Sequence, residues 1–153
     1  MRLIVTPFAA LSGIVSGNSH KDPLTVSGGE SLLEVAIDFP NHSVFVKAPG
    51  FSRFVTSEIL DGMIHIYYDE TGRCHGVEIH RPGPANGLSC IGADLLDGTM
   101  GSVAAKLTAR GIPWRVYDAG IEAPELGISL YAEDFTNNLG CRVDSVYAEL
   151  RQS

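Results

Sequence analysis

MIHIYYDETGRCHGVEIH, Met63 to His80, is the stretch from which the rest of the chain is read. Met63-Ile64-His65-Ile66-Tyr67-Tyr68 is rich in β-branched and aromatic residues, Asp69-Glu70-Thr71-Gly72 supplies turn chemistry, and Cys74 to His80 returns. Two such runs flanking a short turn with glycine last predict a β-hairpin. With Tyr68 opposite Arg73, Ile64, Ile66, His75, Val77 and Ile79 share one face, which is mostly apolar and is expected to point into the core.

A second unit of the same kind closes the chain. Leu126 to Ala132 reads as a strand, a polar loop with Asn137-Asn138 and Gly140 follows, and Arg142 to Leu150 returns. Laid over the first hairpin, Ile128, Leu130 and Tyr131 match Ile64, Ile66 and Tyr67, while Arg142 and Val146 match Arg73 and Val77. A pattern that occurs twice suggests an internal duplication.

Between the two lies a clear helix. Thr99 is a capping residue, Val103, Ala104 and Leu107 fall on one side, Lys106 and Arg110 favour the C-terminal end of the dipole, and Gly111 and Pro113 stop it. Trp114 to Tyr117 reads as a strand. The duplication places a matching first helix at 18–26, although Pro23 and Gly28-Gly29 oppose it.

Leu3-Ile4-Val5 reads as a first strand, with further short strands at 32–37, 43–47 and 54–56. Residues 82–92, rich in Gly and Pro, read as the connection between halves. The expectation is one α+β domain over 1–153, with pseudo-repeat halves near 1–82 and 93–153. Each half offers a helix and a hairpin to an antiparallel sheet.

The chain has 153 residues, the size of one ordinary domain, and 44% of them are hydrophobic. At that length a fold buries roughly 70% of its unfolded surface and needs neither a metal nor a disulfide to hold a core. The formal charge of −7 comes from 18 acidic and 11 basic residues. It argues against nucleic acid or an anionic membrane surface as partner and leaves a basic protein open. Cys74, Cys90 and Cys141 are odd in number and lack CxxC spacing, so free thiols are expected. Thr6, Pro7 and Ser12 interrupt the apolar N-terminus, which does not read as a secretory leader. No apolar run reaches about 18 residues. The expected compartment is the cytoplasm.

Candidate chemistry is sparse. In the register above His80 falls opposite Asp61, four residues from His65, which at about 3.3 Å per residue is roughly 13 Å. That is too far for a shared ion, so no metal and no cofactor are expected. Leu88-Ser89-Cys90-Ile91-Gly92 lacks the first glycine of a nucleophile elbow. No GxxxxGK[ST] or GxGxxG occurs. Glu133-Asp134 reads as a solvated loop rather than a hydrolytic pair.

No catalytic residues are assigned, and the chain is expected not to be an enzyme; reactive Cys90 chemistry is the weakest alternative. From Val116 to Cys141 the acidic residues are Asp118, Glu122, Glu125, Glu133 and Asp134, with no lysine or arginine among them. With Tyr131 these form the candidate partner-binding set, Tyr117 lying in the same stretch. Carboxylates beside tyrosines suit docking of a basic protein.

The strand ending at Pro7-Phe8, YYDETGRCHGVEI at 67–79, DLLDGTMGSVAAKLTARG at 94–111 and LGISLYAEDF…VDSVYAEL at 126–150 together resemble the immunity-protein-like partners of bacterial polymorphic or contact-dependent toxins. Their repeated helix-plus-hairpin plan is similar to that of β-lactamase-inhibitor protein and small outer-membrane-lipoprotein domains. The chain departs from the family at Val15-Ser16-Gly17-Asn18-Ser19, which stands where FGMS-type helix starts occur. The resemblance implies a protein that neutralises a cognate toxin by covering its active site stoichiometrically. The alternative is a small interaction module or regulatory subunit with no toxin involved.

Overall fold

A computed structural model describes residues 2–14, 24–39, 42–46, 54–81, 87–136 and 138–153. The first half runs β1 (Arg2–Thr6), β2 (Ala10–Ile14), β3 (Leu24–Ser27), α1 (Leu32–Asp38), β4 (Ser43–Phe45), β5 (Thr56–Ile59), β6 (Ile64–Tyr68) and β7 (Cys74–His80). The second runs β8 (Gly87–Cys90), β9 (Ala93–Asp94), α2 (Met100–Ala109), β10 (Arg115–Tyr117), β11 (Gly120–Ala123), β12 (Ile128–Tyr131) and β13 (Ser145–Glu149). A 3-10 turn at Pro124–Leu126 links β11 to β12.

The strands form two sheets, ordered β3-β2-β1-β8-β9 and β10-β11-β12-β13-β7-β6-β5-β4. Among the described strands all ladders are antiparallel except β1 with β8, and Phe8 and Leu150 make an isolated parallel bridge. This is an α+β fold dominated by antiparallel sheet. No helix among the described residues is long and apolar enough to cross a membrane.

Each helix precedes four sequential strands, and the two meanders meet where β7 pairs with β13. Alternation sorts the eight-stranded sheet into two faces. Ile64, Ile79, Val146, Leu130 and Ile121 lie side by side through successive pairings and are all buried. Ile66, Val77, Ala148, Ile128 and Ala123 form the next buried row. They join one cluster with Leu3, Val5 and Leu11 of the smaller sheet and with Val35, Met100, Val103 and Leu107 of the helices. Fully burying a side chain such as Ile79 is worth about 1.5–3 kcal/mol.

The first hairpin forms, in a different register from the expected one. Asp69 closes the turn: its Oδ1 accepts from Thr71 N at 2.8 Å, Thr71 Oγ1 at 2.7 Å and Arg73 N at 3.1 Å. Those bonds favour the ionised form and hold its carboxyl below the usual range, the Thr71 hydroxyl being the largest cause. Asp69 N also donates to Arg73 O, so the turn takes in Arg73, and Tyr68 pairs with Cys74. A bulge follows, because Tyr67 pairs with Gly76 and His75 is left as the extra residue. The predicted pairing of Tyr68 with Arg73 is therefore wrong by one residue at the turn and by one more at the bulge. Ile64, Ile66, Val77 and Ile79 reach the core as expected, whereas His75 is exposed.

The helix after Thr99 is as predicted: Thr99 Oγ1 accepts from Ser102 N at 3.1 Å, and Met100, Val103, Ala104 and Leu107 are buried. The expectation of a strand at 32–37 is overturned, since Leu32–Asp38 is helical. Ser31 and Glu34 make a reciprocal cap there, Glu34 N donating to Ser31 Oγ and Ser31 Oγ to Glu34 Oε1. Of the helix expected at 18–26, residues 18–23 lie outside the described residues, and from Leu24 onward the chain is strand β3. The stretch 82–92 is more than a connection, because Gly87–Cys90 runs beside β1, with Leu3 opposite Leu88 and Val5 opposite Cys90.

Candidate functional site

The outer face of the eight-stranded sheet carries polar side chains in register. Glu58, His65, Glu78, Tyr147, Ser129, Glu122 and Arg115 follow one another across seven strands. The adjacent row holds His80, Ser145, Tyr131, Gly120 and Tyr117. The same two-residue period that delivers isoleucines inward delivers these outward. Gly76 makes room on this face: a Cβ there would overlap the Tyr147 ring, which crosses β7 to meet Tyr67 at a tilt of 49°, centroids 6.1 Å apart.

Near the centre of the face three side chains converge. His80 Nε2 lies 3.2 Å from His65 Nδ1 and 3.2 Å from Glu78 Oε1, and His65 Nδ1 is 3.8 Å from that oxygen. Glu58 Oε2 sits 3.8 Å from His65 Nε2, and Phe45 of β4 meets the His65 ring edge-on at 5.3 Å. Tyr67 OH donates to Glu78 Oε1 at 2.7 Å and Ser145 Oγ to Glu78 Oε2 at 3.2 Å. Burial, and then the bond to Glu78, raises the Tyr67 phenol well above its usual range. Burial pushes Tyr147 up to about 12 and raises Tyr117 as well. These phenols stay protonated at neutral pH, and those of Tyr67 and Tyr117 donate to Glu78 and to Leu130 O.

The expected 13 Å separation of His65 and His80 is overturned. In the observed register Glu78 faces His65, and His80 N donates to Met63 O, so the two histidines are diagonal neighbours on one face. Their imidazoles and the Glu78 carboxylate are groups that ligate divalent metals.

The candidate partner-binding residues fall in three places. Asp118 in the β10–β11 turn, Tyr131 at the end of β12, and Glu133 and Asp134 just after it share one end of the sheet. There Gly120 pairs with Tyr131, and Ala132 N donates to Ala119 O. Glu122 lies on the outer face paired with Arg115, the residue immediately before the cation-free stretch. Glu125 sits apart, in the 3-10 turn at the opposite end of β11. Tyr131 is 40% exposed, whereas the Tyr117 hydroxyl is tied to Leu130 O. Glu133 N donates to the Asp144 carboxylate at 2.7 Å, which ties the start of the loop to its end just before β13.

Sequence reasoning missed Glu58, Tyr67, Glu78 and Tyr147 as parts of one surface. Their alternation with the buried isoleucines was the available signal. Cys90 is fully buried and burial pushes its thiol up to about 11, the opposite of an activated nucleophile. Cys74 is likewise raised to about 12 by burial. No protein-family model, curated protein or solved structure matches the chain.

Proposed function

We propose that this chain is a protein-binding module that docks a basic partner on the outer face of its eight-stranded sheet, in the manner of an immunity protein neutralising a toxin. The observation that carries the reading is the run of tyrosines and carboxylates registered across that face. Tyr117, Tyr131 and Tyr147 lie on β10, β12 and β13, with Glu122 on the intervening β11, Glu149 beside Tyr147 on β13, and Glu58 farther along the same face on β5. Tyrosine supplies large contact area with little side-chain entropy to lose, and carboxylates around it steer a cationic partner into register.

The two helix-plus-four-strand units are read as duplicated halves. The order β10-β11-β12-β13 followed by β7-β6-β5-β4 supports that reading, because each half contributes its strands in sequence and ends at the shared seam. The caps agree, since Ser31 bridges to Arg73 and Thr99 to Arg142. Doubling the unit doubles the width of the face, which suits a surface that covers a cleft rather than a cavity that holds a substrate. The toxin as partner comes from the resemblance of 67–79, 94–111 and 126–150; the sheet face is the surface this reading assigns to it.

The test is co-expression with the product of the adjacent gene, scored by growth rescue and by co-purification at low and high salt. Neutralisation and a stoichiometric complex that weakens with salt are expected. Tyr131→Ala combined with Glu149→Lys should lose rescue by more than tenfold in effective dose while the fold is retained. Rescue unchanged by that pair moves the interface off the sheet face, and the absence of any protected enzyme ends the immunity reading.

A further inference from the structure

We propose that His65, Glu78 and His80 form a binding site for a single zinc-class divalent cation on the outer face of the β6–β7 hairpin. The three ligand atoms, His65 Nδ1, His80 Nε2 and Glu78 Oε1, stand at the corners of a triangle with sides of 3.2, 3.2 and 3.8 Å. The point equidistant from those corners is about 2.0 Å from each, the length of a Zn–N or Zn–O bond. A tetrahedral zinc with bonds of about 2.0–2.1 Å spaces its ligands roughly 3.4 Å apart. The observed triangle is therefore one face of that tetrahedron. The ion sits slightly above it, and its fourth position opens to solvent for a water molecule.

Hydrogen bonding within the cluster makes less use of this geometry. His80 Nε2 is equally close to His65 Nδ1 and to Glu78 Oε1, and one N–H cannot point at both. A cation takes a lone pair from all three at once.

The surroundings of the ligands are those of a metal site as well. Glu58 Oε2 lies 3.8 Å from His65 Nε2, the side of the ring on which metal-bound imidazoles have a carboxylate partner. Tyr67 and Ser145 hold the two oxygens of Glu78, and Phe45 packs against the His65 ring. His65 and Glu78 side chains are only 14% and 17% exposed, so ordering them costs little at the moment of binding, while His80 at 38% leaves an entry path. All three ligands come from one hairpin, and its turn and bulge set the register that brings them together.

The experiment is a calorimetric titration of zinc chloride into the full chain, with cobalt(II) as a spectroscopic substitute. One equivalent bound at micromolar or tighter affinity is expected, with the visible absorption of four-coordinate cobalt. His80→Ala and Glu78→Gln should weaken binding by more than the roughly 10- to 100-fold that follows loss of an outer partner. Tyr67→Phe should fall within that smaller range. His80 is half-exposed, so its variant is expected to fold, and circular dichroism checks this. Absence of saturable binding overturns the proposal, as does binding that survives His80→Ala or is abolished by Cys141→Ala instead. The titration contains no protein partner, so its outcome is separate from that of the docking test.

Discussion

In the β6–β7 hairpin residues 69–73 turn the chain, pinned by the Asp69 carboxylate, and a bulge at His75 shifts everything beyond it. In the β12–β13 hairpin residues 132–144 make the connection, and pairing from Tyr131 with Ser145 to Ile128 with Ala148 runs without a shift. Both hairpins put the same kind of residue inside: Ile64 and Ile66 in one, Ile128 and Leu130 in the other, all buried. Outside they differ. The first carries two histidines and a glutamate drawn into one cluster, the second Ser129, Tyr131 and Tyr147 spread across the strands. The core-facing half of a hairpin is held by packing against both sheets, so it tolerates little variation. The outward half is free to carry different chemistry on the same frame.

The largest effect that would test this equivalence is truncation of the matched core residues. Ile64→Ala and Ile128→Ala should each lower unfolding free energy by about 2–5 kcal/mol in urea titrations. A loss below about 1 kcal/mol at Ile128 alone, against the usual range for buried isoleucine, would mean that the second hairpin does not share the core on equal terms.

A smaller effect should separate the hairpins. Tyr68 is buried and shares a 2.7 Å hydrogen bond with Ser57, whereas Ala132 occupies the corresponding place after β12. Burial pushes Tyr68 up to about 12 from an ordinary 10.0. A phenol with a raised folded pKa contributes stability that is complete below the unfolded value and is lost as pH rises through the folded one. The chain should therefore weaken between pH 10 and 12. Tyr68→Phe should make that decline shallower and cost about 1–3 kcal/mol at neutral pH by depriving the buried Ser57 hydroxyl of its partner. Urea midpoints measured against pH report both, and an unchanged alkaline slope would assign the decline to other groups.

The smallest effect concerns the helix starts. Thr99→Ala and Ser31→Ala should each cost about 1 kcal/mol, and amide exchange should localise the change to α2 and α1 respectively. A Ser31→Ala variant with unaltered exchange in α1 would show that this short helix is held by Val35 and its neighbours rather than by its cap.

The two helices also show what the sequence discloses. Around α2 the cap, the apolar spacing and the glycine and proline stops agree, and the helix is legible residue by residue. Around α1 the run Leu32-Leu33-Glu34-Val35-Ala36-Ile37 looks like strand, and only the Ser31–Glu34 spacing signals a helix. The hairpin was legible but its register was not, because a bulge leaves no mark beyond the neighbouring Gly76. That single shift decides whether His65 and His80 are far apart or touching. The pairing of β1 with β8 joins segments with most of the first half between them, and no local pattern encodes such a partner. The acidic stretch was legible as composition; that Arg115 neutralises Glu122 depended on a cross-strand pair one residue outside it.

The last described residues have a consequence for the order of assembly. Arg151 N donates to Phe8 O at 2.7 Å, its guanidinium lies 3.9 Å above the Phe8 ring, and Leu150 N donates to His75 O. Gly28 has no Cβ because the Arg151 backbone occupies that space. The turn after β1, the turn after β3 and the strand at the centre of the large sheet are thus all completed by Leu150 and Arg151, which are made after them. During synthesis the first strands leave the ribosome with one flank open, and the flank closes only after Arg151 has emerged. Contacts of such long sequence separation are formed late and slowly. Until then these strands are an unsealed half, and the interval before sealing, rather than the finished fold, is when their edges are available to pair wrongly.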